Sequence, residues 1–195
     1  MAEGYLVLVV GPSGAGKDSL LDGARAALAG DPRFVFVRRE ITRPADSGGE
    51  DHIAVTEAEF RARQAAGGYA LSWDAHGLGY GIPKSVEGDL AAGRTVIANV
   101  SRGVLDEARG KYGRVAILSI TVSPEILTAR LRARGRETED QIAGRLDRAA
   151  AFRVTGPDVI EIRNDGDLAE SVAAFVAALR GLASGDSGSP SPSSA

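Results

Sequence analysis

Two groups of residues have the types and spacing for phosphate chemistry: a glycine-rich loop ending in lysine, and arginines placed along the second half of the chain. The loop reads Gly11-Pro12-Ser13-Gly14-Ala15-Gly16-Lys17-Asp18-Ser19. A Gly-x4-Gly-Lys core turns backbone N–H groups toward a polyphosphate, and its lysine reaches the terminal phosphates. The next residue is usually Ser or Thr, whose hydroxyl ligates Mg²⁺. Here it is the carboxylate of Asp18. Mg²⁺ prefers oxygen ligands, so Asp18 is a candidate Mg²⁺ ligand, directly or through water with Ser19 helping. The other reading is an anion that only caps the positive end of a helix. The expected chemistry is phosphoryl transfer from a nucleoside triphosphate with Mg²⁺, with Gly11, Pro12, Ser13, Gly14, Ala15, Gly16, Lys17, Asp18 and Ser19 holding the nucleotide.

Such a loop works only between a buried strand and a helix start. Tyr5 to Val10 is a near-continuous apolar run, as expected of a buried parallel strand. Asp18 to Leu28 reads as a helix with Leu20, Leu21, Ala24 and Leu28 at helical spacing. Further strands are expected at 34–37, 69–72, 95–100, 115–122 and 159–162. Helices are expected between most of them. Thr56 with Glu59 and Thr138 with Gln141 are capping boxes, opening helices to about 66 and 152. Pro83-Lys84 opens a helix through 92, and Ser101 caps one through 112. Ser123-Pro124 starts another that Gly135 stops, and the last runs over 167–182. Alternation of this kind predicts an α/β fold, a parallel sheet with helices on both sides. Residues 41–81 break the pattern and read as an insertion. Residues 184–195 are Ser-, Gly- and Pro-rich and read as a disordered tail.

The bulk numbers narrow the classes. A chain of 195 residues can build one domain with a real core. A net charge of −3 argues against general nucleic-acid or membrane-surface binding. The absence of cysteine excludes disulfides, thiol catalysis and zinc fingers. Apolar runs are too short to span a bilayer and no export signal is visible at the N-terminus, so a cytoplasmic protein is expected. Twenty of the 23 basic residues are arginine, which grips phosphate with a rigid two-pronged donor set. Abundant Ala and Gly point to composition bias behind that count, so only the placement of particular arginines carries function.

On Gly11 to Lys17, Ile41-Thr42-Arg43, Tyr80-Gly81, Arg130-Leu131, Arg134-Gly135, Arg145-Leu146 and Asn164-Asp165, the chain resembles the guanylate-kinase branch of the nucleoside monophosphate kinases over roughly residues 5–180. The resemblance implies a P-loop NTPase-type sheet of five parallel strands within a single domain, 1–183. It also implies an acceptor-binding insertion at about 41–81 and a helical lid at about 134–153. Arg130, Arg134 and Arg145 fall where that family places cations around the transferring phosphoryl group, and with Lys17 they form the expected catalytic set. Asn164 falls among the nucleotide-binding residues. The base-reading positions depart from that family: Ser72-Trp73 stands where a glutamate holds guanine, and the Thr-Arg-x-Pro-Arg word keeps only Arg43. His52 replaces a tyrosine, and Ile82-Pro83 replaces small polar residues.

Longer words resemble a second family within the same branch, the ribose 1,5-bisphosphate phosphokinases of bacterial phosphonate utilisation. They are residues 11–20 with Asp18 included, 39–43, 50–54, 71–78, Asn99 to Arg102, 122–127 and 164–166. This resemblance implies ATP-dependent phosphorylation of ribose 1,5-bisphosphate to 5-phosphoribosyl 1-diphosphate (PRPP). The acceptor carries two phosphates and no base, which suits a site that has lost base-reading groups and kept phosphate grips. Arg43, then Arg102, are the expected acceptor-phosphate ligands, with His52, Tyr80 and Ser101 beside them. His76 reads either as a pocket residue beside Tyr80 or as a polar loop residue, and Trp73 either lines the sugar or, the simpler reading for a lone tryptophan at a strand end, belongs to the core. The partner is therefore a small phosphorylated ribose; the oligomeric state is open. The alternatives are a nucleoside monophosphate kinase and, from another class, a silent guanylate-kinase-like binding module. Retention of Lys17 and the three arginines argues against the module.

Overall fold

A computed structural model of the chain describes residues 3–45, 50–135 and 137–185. The chain runs β1 (Leu6–Val10), α1 (Lys17–Ala27), β2 (Phe34–Phe36), β3 (Glu40–Ile41), β4 (Ile53–Ala54), α2 (Glu57–Ala65), β5 (Tyr69–Ala75) and β6 (Leu78–Pro83). It continues with α3 (Val86–Ala91), β7 (Thr95–Asn99), a 3₁₀ turn at Arg102–Val104, α4 (Leu105–Lys111), β8 (Val115–Thr121), α5 (Pro124–Arg134), α6 (Glu139–Ala150), β9 (Val159–Arg163) and α7 (Leu168–Ser184).

Five strands form a parallel sheet in the order β2-β7-β1-β8-β9. β1 lies at its centre, and its five residues are all buried. Side chains alternate between the faces of a strand. Leu6, Leu8 and Val10 therefore pack into one core with Leu90, Val104 and Leu105, while Val7 and Val9 pack into the other with Leu20, Phe175 and Leu179. A strand buried on both faces reads as an unbroken apolar run, which is why β1 is so visible in the sequence. The loop after β1 thus leaves the carboxyl end of the central strand, held between two packed layers.

A second sheet, β4-β3-β6-β5, is built from residues 40–83. Strand β5 is longer than the sequence suggests, and its partner β6 is a short strand of the insertion whose place the sequence does not mark. They join at His76-Gly77, both with positive φ (53° and 74°), which suits a tight hairpin turn. Two glycines mask β6. A Cβ at Gly79 would lie 2.7 Å from the Phe60 ring, and one at Gly81 would lie 2.3 Å from the Tyr69 ring. The strand gives up side chains there so that aromatic rings can cross its face. Glu40, buried in β3, accepts hydrogen bonds from Arg63 of α2 and, at 2.7 Å, from the Tyr69 hydroxyl. Burial, with that bond to Glu40, raises the Tyr69 phenol above its usual range.

Three boundaries move. Pro83 pairs with Tyr69 as the last residue of β6, so the expected helix begins only at Val86. The helix expected from Ser101 opens as a 3₁₀ turn before α4. Helix α7 continues through Ser184 to a left-handed Gly185, one residue into the expected tail. The rest of that tail, 186–195, lies outside the described residues. No helix among the described residues is long and apolar enough to cross a membrane.

Candidate active site

The loop between β1 and α1 is locked from behind. Gly16 stands at the N-cap of α1 with φ 87°, a left-handed conformation that L side chains adopt at a cost. A Cβ there would lie 2.4 Å from Asn164 Nδ2. That same Nδ2 donates to the Ala15 carbonyl at 2.7 Å, so the asparagine cannot retreat without losing the bond. Asn164 is buried at the end of β9, and its own carbonyl accepts from Arg130 Nη2 at 2.7 Å. The structure thus gives Asn164 a joining place, between the loop and an arginine of α5.

Lys17 folds over the loop and donates to the carbonyls of Gly11 (2.7 Å) and Pro12 (3.1 Å). Burial lowers its pKa from the ordinary lysine value. Asp18 works against that shift, Arg39 adds to it and Glu50 opposes it. Those carbonyl contacts are what an ammonium makes in place of phosphate oxygens.

The arginines come from α5 and α6. Ser123 caps α5 with Pro124 in its first turn, and left-handed Gly135 ends it. Thr138 and Gln141 close the capping box that starts α6. Leu127, Leu131 and Ile142 pack the two helices into a small core of their own. Arg145 of α6 donates to Ser13 Oγ at 2.9 Å and pairs with Glu137 at 3.0 Å. Arg130 Nη1 is buried, points near Gly16 and has no partner among the described residues. Arg130 and Arg145 therefore converge on the phosphate loop. Arg134 does not: it is exposed on the last turn of α5, without a hydrogen bond or ion pair among the described residues.

The second sheet carries the acceptor candidates. Thr42 Oγ1 accepts from the Gly79 amide at 2.8 Å and so fixes the turn bearing Arg43. Arg43 Nη2 lies 3.3 Å from His52 Nδ1, while its Nε is buried and unpartnered among the described residues. His52 is only 5% exposed, and its ring also meets the carbonyls of Glu50 (3.0 Å) and Arg43 (3.1 Å). Its ring nitrogens are thus engaged within the protein. Tyr80 stacks on Trp73, centroids 5.4 Å apart and planes 3° from parallel. Ser101 is used as a cap, accepting from the Gly103 amide. Arg102 is exposed; it donates to the Ala151 carbonyl at the end of α6 and lies 5.1 Å from the Phe152 ring. His76 takes the loop reading: the hairpin turn places it exposed at the tip of β5 and β6. Ser72, at the expected base-reading position, accepts from Gln64 of α2 at 3.1 Å.

Two residues left out of the expected site stand in it. Arg39 is paired with Glu50 and lies over both Tyr80 and Trp73, 5.1 and 5.8 Å from the ring centroids. Both charges bear on Lys17. The only sequence signal was that both residues fall inside words shared with the second family.

Asp18 and Ser19 are exposed at the start of α1, and Asp18 has no hydrogen bond or ion pair among the described residues. Among those residues no three His, Cys, Asp or Glu side chains gather to hold a metal by themselves. One free carboxylate beside a phosphate loop still fits Mg²⁺, which usually takes one or two carboxylates and completes its shell with substrate phosphates and water.

No family model matches the chain. Among curated proteins, it is 52% identical over 168 residues to ribose 1,5-bisphosphate phosphokinase PhnN of Thiobacillus denitrificans, covering 86% of this chain and 88% of the relative. It is 47% identical over 181 residues to the protein of that name from Brucella melitensis, covering 93% and 94%. A bifunctional ribose 1,5-bisphosphokinase-thymidine phosphorylase of Cupriavidus necator is 50% identical over 179 residues, but the chain spans only 30% of its length. Among solved structures, guanylate kinase from Anaplasma phagocytophilum superposes with a TM-score of 0.63 at 22% identity, covering 92% of this chain and 86% of that one. A gluconokinase from Sinorhizobium meliloti reaches 0.52 at 20% identity, covering 95% and 97%. The solved structures establish the guanylate-kinase-like P-loop fold, and the near-full-length identity to curated relatives establishes more: the chain belongs to the ribose 1,5-bisphosphate phosphokinase family.

Proposed function

We propose that the protein transfers the γ-phosphoryl group of ATP to ribose 1,5-bisphosphate, giving 5-phosphoribosyl 1-diphosphate and ADP. The observation that carries this reading is the match of about half the residues along nearly the whole chain to relatives bearing this activity in their names. The geometry is consistent with it. An oxygen of the acceptor's 1-phosphate attacks the γ-phosphorus, and the bond to the β–γ bridging oxygen breaks with its electrons going to ADP. The attacking phosphate has a second pKa of about 6 and is already largely ionised at neutral pH. No strong base is needed, so positioning and charge neutralisation supply the rate.

In this account the loop amides and Lys17 hold the β- and γ-phosphates. Arg130 and Arg145 approach from the lid side, where charge spreads over the transferring group. Arg43 holds an acceptor phosphate, with His52 bracing its guanidinium and Tyr80 forming a wall. Asp18 and Ser19 are the residues that would hold Mg²⁺, which would supply charge neutralisation for the phosphates. We place the reaction in the cytoplasm, where ATP is available.

The test is product identification. The protein is incubated with Mg-ATP and either ribose 1,5-bisphosphate or GMP, and ³¹P signals are followed. A new diphosphate on the ribosyl carbon supports the reading. Fast GDP formation without a ribosyl product overturns it.

A further inference from the structure

The pair Arg39–Glu50 is two-pronged and mostly buried. Its side chains are only 12% and 19% exposed, and the contact uses the full fork: Nη2 and Nε of Arg39 each meet one oxygen of Glu50, the latter at 3.1 Å. The guanidinium carbon lies over two stacked rings, within cation–π reach of both. Strand register explains the placement. Tyr80 pairs with Ile41 on one side and Trp73 on the other, and the ladder continues back to Arg39 through the Ile53 amide. Arg39 therefore shares a face with Ile41 and the ring pair, opposite to Glu40. The pair also stands beside Arg43: the Glu50 carbonyl meets His52 Nδ1 at 3.0 Å, and the same nitrogen lies 3.3 Å from Arg43 Nη2.

A carboxylate and a phosphate offer an arginine fork the same edge of two oxygens. We propose that Arg39 is a substrate-binding residue: it grips a phosphate of the acceptor, exchanging Glu50 for it, and supplies the second arginine that the shortened Thr42-Arg43 word no longer provides. The proposal rests on the reading of the acceptor as a ribosyl bisphosphate. It explains the rings as well. With no base to stack on, Trp73 and Tyr80 serve as the platform beneath a phosphate grip.

The test compares Arg39→Met with the double variant Arg39→Met, Glu50→Met, by steady-state kinetics on ribose 1,5-bisphosphate and by titration with a non-hydrolysable ATP analogue. The single variant is expected to raise the acceptor KM about 10- to 100-fold, the loss of a charge-assisted fork, while affinity for the ATP analogue stays within about twofold. The double variant removes the unpaired carboxylate and is expected to remain weak for the acceptor. Recovery of the wild-type KM in the double variant would mean that Arg39 only neutralises Glu50, and would overturn the proposal. An unchanged KM in the single variant overturns it too, and leaves the kinase reading intact. If the unmodified protein does not turn over the bisphosphate at all, that reading fails and this proposal falls with it.

Discussion

Replacing Gly16 with alanine separates two costs that the phosphate loop imposes. The first is backbone strain: φ is 87°, and a left-handed L residue costs about 1–2 kcal/mol. The second is a collision. The new Cβ would lie 2.4 Å from Asn164 Nδ2, and relieving it breaks the 2.7 Å bond to the Ala15 carbonyl. Leaving that buried carbonyl unpaired costs a further ~1–3 kcal/mol. Gly30 is the control, with φ 83° and nothing within 4 Å of an added Cβ. Gly30→Ala carries the strain alone. For a domain of this size, ~2–4 °C per kcal/mol places the Gly16 variant about 2–12 °C below the Gly30 variant in thermal unfolding. The Gly16 variant is also expected to lose about 100-fold in kcat/KM for ATP, since the loop amides shift, while Gly30→Ala keeps normal turnover. Equal melting temperatures for the two variants would refute the claim that Asn164 locks the loop.

Arg145→Ala is expected to lower kcat about 100-fold or more, because Arg145 already reaches the phosphate loop, whereas exposed Arg134→Ala costs under about 10-fold; steady-state kinetics of the two variants decide. Asp18→Asn is expected to raise the Mg²⁺ concentration for half-maximal rate about 10-fold, and an unchanged Mg²⁺ dependence would remove Asp18 from the metal. Burial lowers the Lys17 pKa, and the charged form is the one that binds phosphate. Affinity for an ATP analogue is therefore expected to fall as pH rises through that lowered value, earlier than for an ordinary lysine. The bound phosphates pull the pKa back up, so calorimetry in two buffers should show proton uptake on binding in this alkaline window, absent in Lys17→Met.

The core was legible because its signals are local. A strand buried on both faces writes itself as the run before Gly11, and the capping boxes at Thr56 and Thr138 stand where the sequence places them. The loop and its lysine were legible for the same reason. Strand β6 was not, because Gly79 and Gly81 yield their side-chain space to rings from α2 and β5, a tertiary cause that puts turn-forming glycines where strand residues would be read. Arg39 is illegible in the sequence for a related reason. Its neighbours Glu50, Trp73 and Tyr80 reach it only when the insertion folds into a sheet. Arg102 and His52 show the reverse: residue types suited to phosphate that the fold also commits elsewhere, to the end of α6 and to the Arg43 turn.

The central claim concerns the acceptor. The most direct measurement is the ratio of kcat/KM for ribose 1,5-bisphosphate to that for GMP, with the same protein, ATP and Mg²⁺. A site without its buried base-reading partners should favour the ribosyl bisphosphate by about 100-fold or more. A ratio below one would contradict the account and return the protein to the nucleoside monophosphate kinases.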